Sequence, residues 1–272
     1  MTNALAALSL PPVQRGLMAV VVCGALLPVV GVAIVALHIY PLRFTIMHAA
    51  LLGLALGAWM GVDPLLAALI LCAATGAGLG AASPHPRKAS SAMGFLMPVA
   101  IALAFLVLSA SGTHATDAFA LLWGSILLSS WTDVALLAAL GGVVLGITWR
   151  LRKPLALYLL DPELAWTSGM EIRWMSIMLF TILAVTMAAA VRLTGALLVD
   201  AVTILPALTA KALARSLPGM VLLAMAAGVV GNVVGLTLCL ILDAPPGPIL
   251  VLTAGSLTLA AALYSRQFRR TR

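Results

Sequence analysis

Long apolar stretches alternate with short polar stretches along the whole chain. Nine of the apolar stretches contain 16 to 23 residues each, close to the roughly 20 residues that a helix needs to cross a bilayer. A further stretch, Phe119 to Leu128, is too short to cross and is predicted to be re-entrant or to lie at the membrane interface. The nine long runs are Gly16 to His38, Thr45 to Met60, Pro64 to Ala82, Ala92 to Ser111, Thr132 to Trp149, Ile172 to Leu193, Gly195 to Ala210, Met220 to Leu242 and Ile249 to Tyr264.

This pattern predicts an all-α integral membrane protein, a polytopic bundle of eight or nine transmembrane helices that forms a single domain over residues 1–272. The composition agrees, because 63% of the residues are hydrophobic, only 8% are charged and the mean hydropathy is +1.17. About a quarter of the residues of an ordinary soluble domain are charged. A water-soluble fold of this size is therefore excluded, and the short polar stretches leave no room for a separate soluble domain.

The cations are distributed unevenly between the two sides of the predicted bundle. There are 15 Lys and Arg against eight Asp and Glu, a formal net charge of +7, which retention of cations on the cytoplasmic side explains without a nucleic-acid partner. If the tail Ser265 to Arg272 is cytoplasmic, counting back through the nine runs leaves only Arg15 and Arg192 outside, so 13 of the 15 cations lie inside. A multi-pass protein of the cell (inner) membrane with an outer N-terminus is predicted.

Small and sulfur-containing residues in the runs indicate helix packing rather than chemistry. The three cysteines lie in separate apolar runs without C-x-x-C spacing, so neither a disulfide framework nor a zinc site is expected. Glycines at helical spacing allow helices to approach closely in lipid. These glycines are Gly53, Gly57 and Gly61, then Gly76 and Gly80, and finally Gly231 and Gly235.

Two ionisable residues inside the runs are candidates for chemistry, because such residues usually face a partner or an aqueous path. Asp200 has no cation within its own run and is either a transient ligand for a divalent cation or a carboxylic acid bonded to neighbouring backbone or hydroxyl groups. His48 offers an imidazole nitrogen that suits first-row divalent metals. The alternative interpretation is that His48 is a hydrogen-bonded packing residue.

The second half of the chain contains a series of short motifs spread over about 130 residues. They are Leu122 to Leu127 with Trp131-Thr132-Asp133, Asp161-Pro162-Glu163-Leu164-Ala165 with Gly169, Thr194 to Val199, Pro206-Ala207 with Ala210, and Asp243 to Val251. In their order and spacing, these motifs resemble those of the permease subunits of zinc, manganese and iron ABC importers. The resemblance implies a type II ABC importer permease fold and import of a divalent transition metal ion. It also implies a separate ATPase subunit, a periplasmic or extracellular metal-binding protein, a homodimer in the lipid membrane, and no permanently bound cofactor.

By the same resemblance, the inner segment from Tyr158 to Glu171 is the coupling element that docks on the ATPase. Its candidate contact residues are Asp161, Glu163, Leu164, Ala165 and Gly169. A simple cytoplasmic linker is the alternative. The stretch with Lys211 and Arg215 is a second inner surface for the ATPase or anionic lipid. The chain is not expected to be an enzyme: it has no Gly-Lys dipeptide, so the P-loop pattern is absent and ATP must be hydrolysed on another chain.

The first half departs from the family pattern of Gly-Asp, Ser-His-Ala and Leu-Pro-Gly, because Phe44 replaces the aspartate and Leu52 the proline. We hypothesise that Asp200 supplies the missing carboxylate and forms a metal pathway with His48, with Met47 nearby.

In an outer loop, His114 and Asp117 could receive metal from a donor protein, although a solvated loop is the simpler interpretation. A His and carboxylate pair suits zinc, manganese and iron alike. A permease for cobalamin or an iron-siderophore is the first alternative function. A secondary transporter or membrane scaffold outside the ABC class is the second.

Overall fold

The computed structural model describes residues 11–82, 89–111 and 130–270. Within these ranges the chain forms eleven α-helices and no strand. In chain order they are α1 (Pro11–Leu37), α2 (Pro41–Met60), α3 (Pro64–Ala82), α4 (Ser90–Ala110), α5 (Trp131–Arg150), α6 (Arg152–Leu160), α7 (Pro162–Thr167), α8 (Ile172–Thr194), α9 (Ala196–Leu213), α10 (Leu217–Leu242) and α11 (Pro246–Arg270).

Each of the nine predicted apolar runs is a helix, which confirms the all-α, polytopic prediction. Among the described residues, eight helices are long and apolar enough to cross a membrane, namely α1 to α5, α8, α10 and α11. The remaining long helix, α9, has 18 residues, about 27 Å at 1.5 Å per residue. The chain is a multi-pass membrane protein.

Helices α2 and α11 begin before their apolar runs because proline starts them. Pro41 and Pro246 are their first residues, where the missing N–H costs nothing and the fixed φ suits a helix. The predicted start of α2 at Thr45 is therefore wrong by four residues, and Arg43 belongs to the helix. Apolar runs mark only the part of a helix in hydrocarbon, whereas the helix continues into the headgroup layer.

By their internal contacts, the helices form two compact units. Unit 1 comprises Met1–Val35, Trp123–Ala139 and Leu193–Arg272, and unit 2 comprises Ala36–Leu122 and Leu140–Arg192. A single domain over the whole chain stays a prediction.

In unit 1, α1 packs against α10 with the two backbones almost in contact. A Cβ at Gly24 would lie 2.7 Å from the carbonyl oxygen of Gly228, so a larger residue would push the helices apart. About one turn away, the buried Asn232 side chain donates from Nδ2 to the carbonyl oxygen of Val20 at 2.8 Å. Close packing and this bond to an otherwise saturated backbone hold α1 to α10.

In unit 2, α2 lies against both α3 and α4. The fully buried Thr45 hydroxyl donates to the carbonyl oxygen of Met93 on α4 at 2.8 Å. On the α3 side, a Cβ at Gly53 would lie 2.4 Å from the Cα of Ala68. A hydroxyl bond on one side and a glycine contact on the other therefore fix the position of α2.

The α3 helix in turn packs against α8 through its own glycines. A Cβ at Gly76 would lie 2.6 Å from the carbonyl oxygen of Phe180, and one at Gly80 would meet the α8 backbone at the same distance. The predicted packing role of these glycines is confirmed. Gly61 differs, because it ends α2 with a φ of 70° and has open space around it.

Candidate metal pathway and coupling surface

His48 lies on α2 with a partly buried ring that is oriented by its own helix. Its Nδ1 atom is 2.6 Å from the carbonyl oxygen of Phe44, one turn earlier. A carbonyl oxygen only accepts, so Nδ1 must carry the hydrogen, and in the corresponding imidazole tautomer the lone pair lies on Nε2. This is the arrangement in which histidines bind metal ions through Nε2, with the other nitrogen fixed by a backbone carbonyl.

Phe44, at the position of the family aspartate, makes a different contact. Its ring lies under the guanidinium group of Arg43, with 4.3 Å between Cζ and the ring centroid, a cation–π distance. Phe44 therefore gives an aromatic face to a cation and a carbonyl to His48, and its side chain offers no metal ligand. Met47 is only 8% exposed and points about 100° away from His48 around the helix, so its place in a pathway stays a prediction.

Asp200 lies in the second turn of α9 and is partly buried. The helix begins directly after Gly195, whose φ of 80° is a conformation that other residues rarely adopt. Gly195 is the single residue between α8 and α9. The Thr194-Gly195 motif of the sequence therefore has a structural reason: it ends one helix and starts the next just before Asp200.

The rest of α9 is held by contacts within unit 1. A Cβ at Gly31 on α1 would lie 1.8 Å from the carbonyl oxygen of Thr203, less than one turn after Asp200. Further along, the hydroxyl groups of Thr209 and Thr258 lie 3.0 Å apart and join α9 to α11. Sequence reasoning missed the role of Gly31, because no motif or spacing marks a contact between residues so distant in the chain.

The two candidate pathway residues belong to different units, His48 to unit 2 and Asp200 to unit 1. Their pairing stays a prediction. In the described part of the chain, no group of three or more His, Cys, Asp or Glu side chains could hold a metal ion. The predicted outer-entrance residues His114 and Asp117 lie outside the described residues.

The coupling motif forms the short helix α7 with a well-defined start. Asp161 precedes the helix, and its Oδ1 atom accepts hydrogen bonds from the backbone N–H groups of Glu163 at 3.0 Å and Leu164 at 3.1 Å. Pro162 is the first helical residue, and Glu163 places a carboxylate in the first turn, which the helix dipole favours. Asp161, Pro162 and Glu163 therefore build a helix N-terminus.

The later residues of the motif end α7 and determine which of its sides is buried. Gly169 has a φ of 83°, and its N–H donates to the carbonyl oxygen of Trp166 at 2.9 Å, which closes the last turn. Ala165 is fully buried, whereas Leu164 is 52% and Trp166 65% exposed. Two large apolar side chains thus project from a capped helix.

A buried bond that sequence reasoning did not find connects this region to α8. Tyr158 near the end of α6 and Ser176 on α8 are both fully buried, and their hydroxyl oxygens lie 2.6 Å apart. Burial raises the pKa of Tyr158 to about 12. The only hint in the sequence is a tyrosine in an otherwise aliphatic helix turn, and its partner 18 residues away could not be named.

The fold and these elements define a polytopic, α-helical membrane protein. The ABC 3 transport family matches residues 9–265, and the chain belongs to this family. It is 30% identical over 259 residues to the manganese transport system membrane protein MntC of Halalkalibacterium halodurans, covering 95% of this chain and 89% of that protein.

A second relative and a solved structure are also similar to this chain over most of its length. The chain is 26% identical over 224 residues to the high-affinity zinc uptake system membrane protein ZnuB of Haemophilus influenzae, covering 82% of this chain and 85% of that protein. A chain in the structure of PsaBC from Streptococcus pneumoniae in complex with Fab has a TM-score of 0.81 and 26% identity, with 100% of this chain and 99% of that chain covered. The predicted permease family and bundle fold are confirmed.

Proposed function

We propose that this chain is the permease subunit of an ABC importer for a divalent transition metal ion, either manganese, zinc or iron. The observation that carries the proposal is its end-to-end similarity to a manganese transport membrane protein, over 95% of this chain. The similarity to a zinc uptake membrane protein over 82% of the chain supports the same substrate class. A His and carboxylate pair suits each of these three metals.

In this proposal, His48 and Asp200 are transient ligands along the pathway. The backbone bond of His48 leaves Nε2 free to accept a cation, and Asp200 adds an oxygen ligand near the start of α9. Two protein ligands and water hold an ion weakly, whereas a complete four-ligand cage would trap it. Weak binding suits passage.

The energy comes from a separate ATPase subunit, since the sequence lacks the P-loop pattern. The exposed Leu164 and Trp166 on α7 form the docking surface for that subunit. A metal-binding protein on the outer side delivers the ion, and two copies of the chain in the lipid membrane form one pathway. ATP binding and hydrolysis then shift the population between outward-open and inward-open packings.

A deletion strain tests this function. Cells that lack the chain are grown at limiting metal, and their manganese, zinc and iron contents are compared with those of complemented cells by mass spectrometry. The proposal expects the content of at least one of these metals to fall and to recover on complementation, with cobalamin uptake unchanged. Normal contents of all three metals, or a selective loss of cobalamin or siderophore uptake, would overturn it.

A further inference from the structure

A cluster of exposed cations lies at the junction of α5 and α6. Arg150 ends α5, and Arg152 and Lys153 begin α6. All three side chains are exposed, and none of them pairs with a carboxylate in the described part of the chain. Together with Trp149, Leu151 and Pro154, they line an open cavity of about 450 Å³. We call residues 149–154 the junction cluster.

Proline explains why the chain bends at this point. Pro154 has no N–H to donate to the carbonyl oxygen of Arg150, one turn earlier, so the helix ladder is interrupted there. Leu151 has non-helical backbone angles between the two helices, with φ −102° and ψ 17°. The bend separates α5 from α6 and leaves the cations around a concave surface.

The junction cluster lies where the membrane interface is expected. It follows directly on α5, one of the helices that are long and apolar enough to cross a membrane. Trp149 is 73% exposed, and tryptophans concentrate at the headgroup level. Leu145, one turn earlier on the same face, is also exposed and continues the apolar surface toward the hydrocarbon.

The contact between Arg152 and Trp149 fits a headgroup site. The guanidinium carbon of Arg152 lies 5.1 Å from the Trp149 ring centroid, so the arginine is held near the interface by a cation–π contact. Phosphate oxygens are the natural partners of unpaired Arg and Lys groups. We propose that the junction cluster binds the phosphate headgroup of an anionic phospholipid, whose acyl chains follow the apolar α5 face.

A lipid is favoured over a soluble anion or a protein partner, because an exposed tryptophan and a spanning helix adjoin the cations. Binding of a soluble phosphate does not require an apolar surface beside the cations. Binding of a protein partner requires opposite charges facing the cations, and it would not select one particular lipid.

Native mass spectrometry of the purified full chain tests the site, with phosphatidylglycerol and phosphatidylcholine added in equal amounts. Wild-type protein is expected to retain phosphatidylglycerol preferentially. Each of R150Q, R152Q and K153Q should lower this retention roughly fivefold, and the triple variant should abolish the preference. The control triple variant R15Q/R173Q/R266Q removes the same charge from positions outside the junction cluster that are at least partly exposed, and it should keep the preference.

Four results would overturn the proposal. The junction triple variant could retain phosphatidylglycerol like wild type, or both triple variants could lose it equally, which would indicate a general effect of charge. Displacement of the lipid by millimolar glycerol phosphate would indicate a soluble phosphate site. Loss of ATPase co-purification with unchanged lipid retention would indicate a protein contact. Because lipid retention is measured without transport, the result does not depend on the metal import proposed above.

Discussion

The hydroxyl oxygen of Tyr158 lies 2.6 Å from that of Ser176, and neither side chain is exposed. The bond joins α6, which precedes α7, to the spanning helix α8. In the proposed function, a movement that the ATPase imposes on α7 has a short, buried route through this bond into the helices of unit 2.

Tyr158→Phe should weaken this connection, because it removes the hydroxyl that bonds to the buried Ser176. We expect the free energy of unfolding in detergent to fall by about 0.5–1.5 kcal/mol. Tyr40→Phe, which removes a hydroxyl without a hydrogen bond among those described, should change it little. In a double-mutant cycle, Y158F/S176A should cost less than the sum of the single variants, and strict additivity would contradict a direct bond.

The burial of Tyr158 predicts an alkaline effect on stability. Burial raises the folded-state pKa of Tyr158 to about 12 from an ordinary value of 10.0. The unfolded state therefore loses this proton first, and the contribution of Tyr158 to stability is complete below pH 10 and is lost as pH rises toward 12. Melting curves of wild type should show a steeper fall in this window than those of Tyr158→Phe; parallel curves would contradict the assignment.

Asp161 should affect coupling through the helix cap that it forms. Asp161→Ala removes the acceptor for two N–H groups of α7 and should destabilise that helix by about 1 kcal/mol, whereas Asp161→Asn keeps an acceptor. ATPase co-purification and metal-stimulated ATP hydrolysis should fall for Asp161→Ala and stay near wild type for Asp161→Asn.

The matched control for this cap is Asp63→Ala. Asp63 accepts in the same way from Leu65 N at 2.8 Å and Leu66 N at 3.0 Å, but it lies at the start of α3. Its removal should leave ATPase association unchanged. Equal losses for Asp161→Ala and Asp63→Ala would show a general folding defect instead of a coupling role.

Gly31 should be intolerant of any side chain. A Cβ would lie 1.8 Å from the carbonyl oxygen of Thr203, so Gly31→Ala must displace α9 from α1 at a cost of more than about 1–3 kcal/mol. Thermal stability and the yield of monodisperse protein, measured by fluorescence-detected size-exclusion chromatography, should both fall. Gly146→Ala, which meets open space, is the control, and equal behaviour of the two variants would contradict the contact.

The architecture could be predicted from the sequence, because each of the nine long apolar runs is a helix and eight of the described helices are long and apolar enough to cross a membrane. The motif residues Asp161, Gly169 and Gly195 could likewise be found, since each acts locally on the backbone of its own turn. The contacts of Gly31 with Thr203 and of Tyr158 with Ser176 could not, because they depend on how distant helices pack. Helix starts such as Pro41 could not be predicted from the apolar runs, because a helix can begin several residues before its apolar run.

His48 and Asp200 should each contribute to transport without contributing to membrane insertion. Loss of one ligand should lower the uptake of the transported metal on the order of tenfold, by analogy with the effect of altering metal-site partners. His48→Ala and Asp200→Ala should both show this loss at wild-type expression, whereas Thr237→Ala, on an exposed position of α10, should not. Unchanged uptake in both single variants would contradict the pathway.

Metal uptake into proteoliposomes that contain this chain, the ATPase and the binding protein tests the proposed metal import most directly. We expect accumulation of manganese, zinc or iron that requires ATP and all three components, and no accumulation of cobalamin. Uptake of metal without ATP or without the ATPase, or ATP-driven uptake of cobalamin with no metal transport, would contradict it.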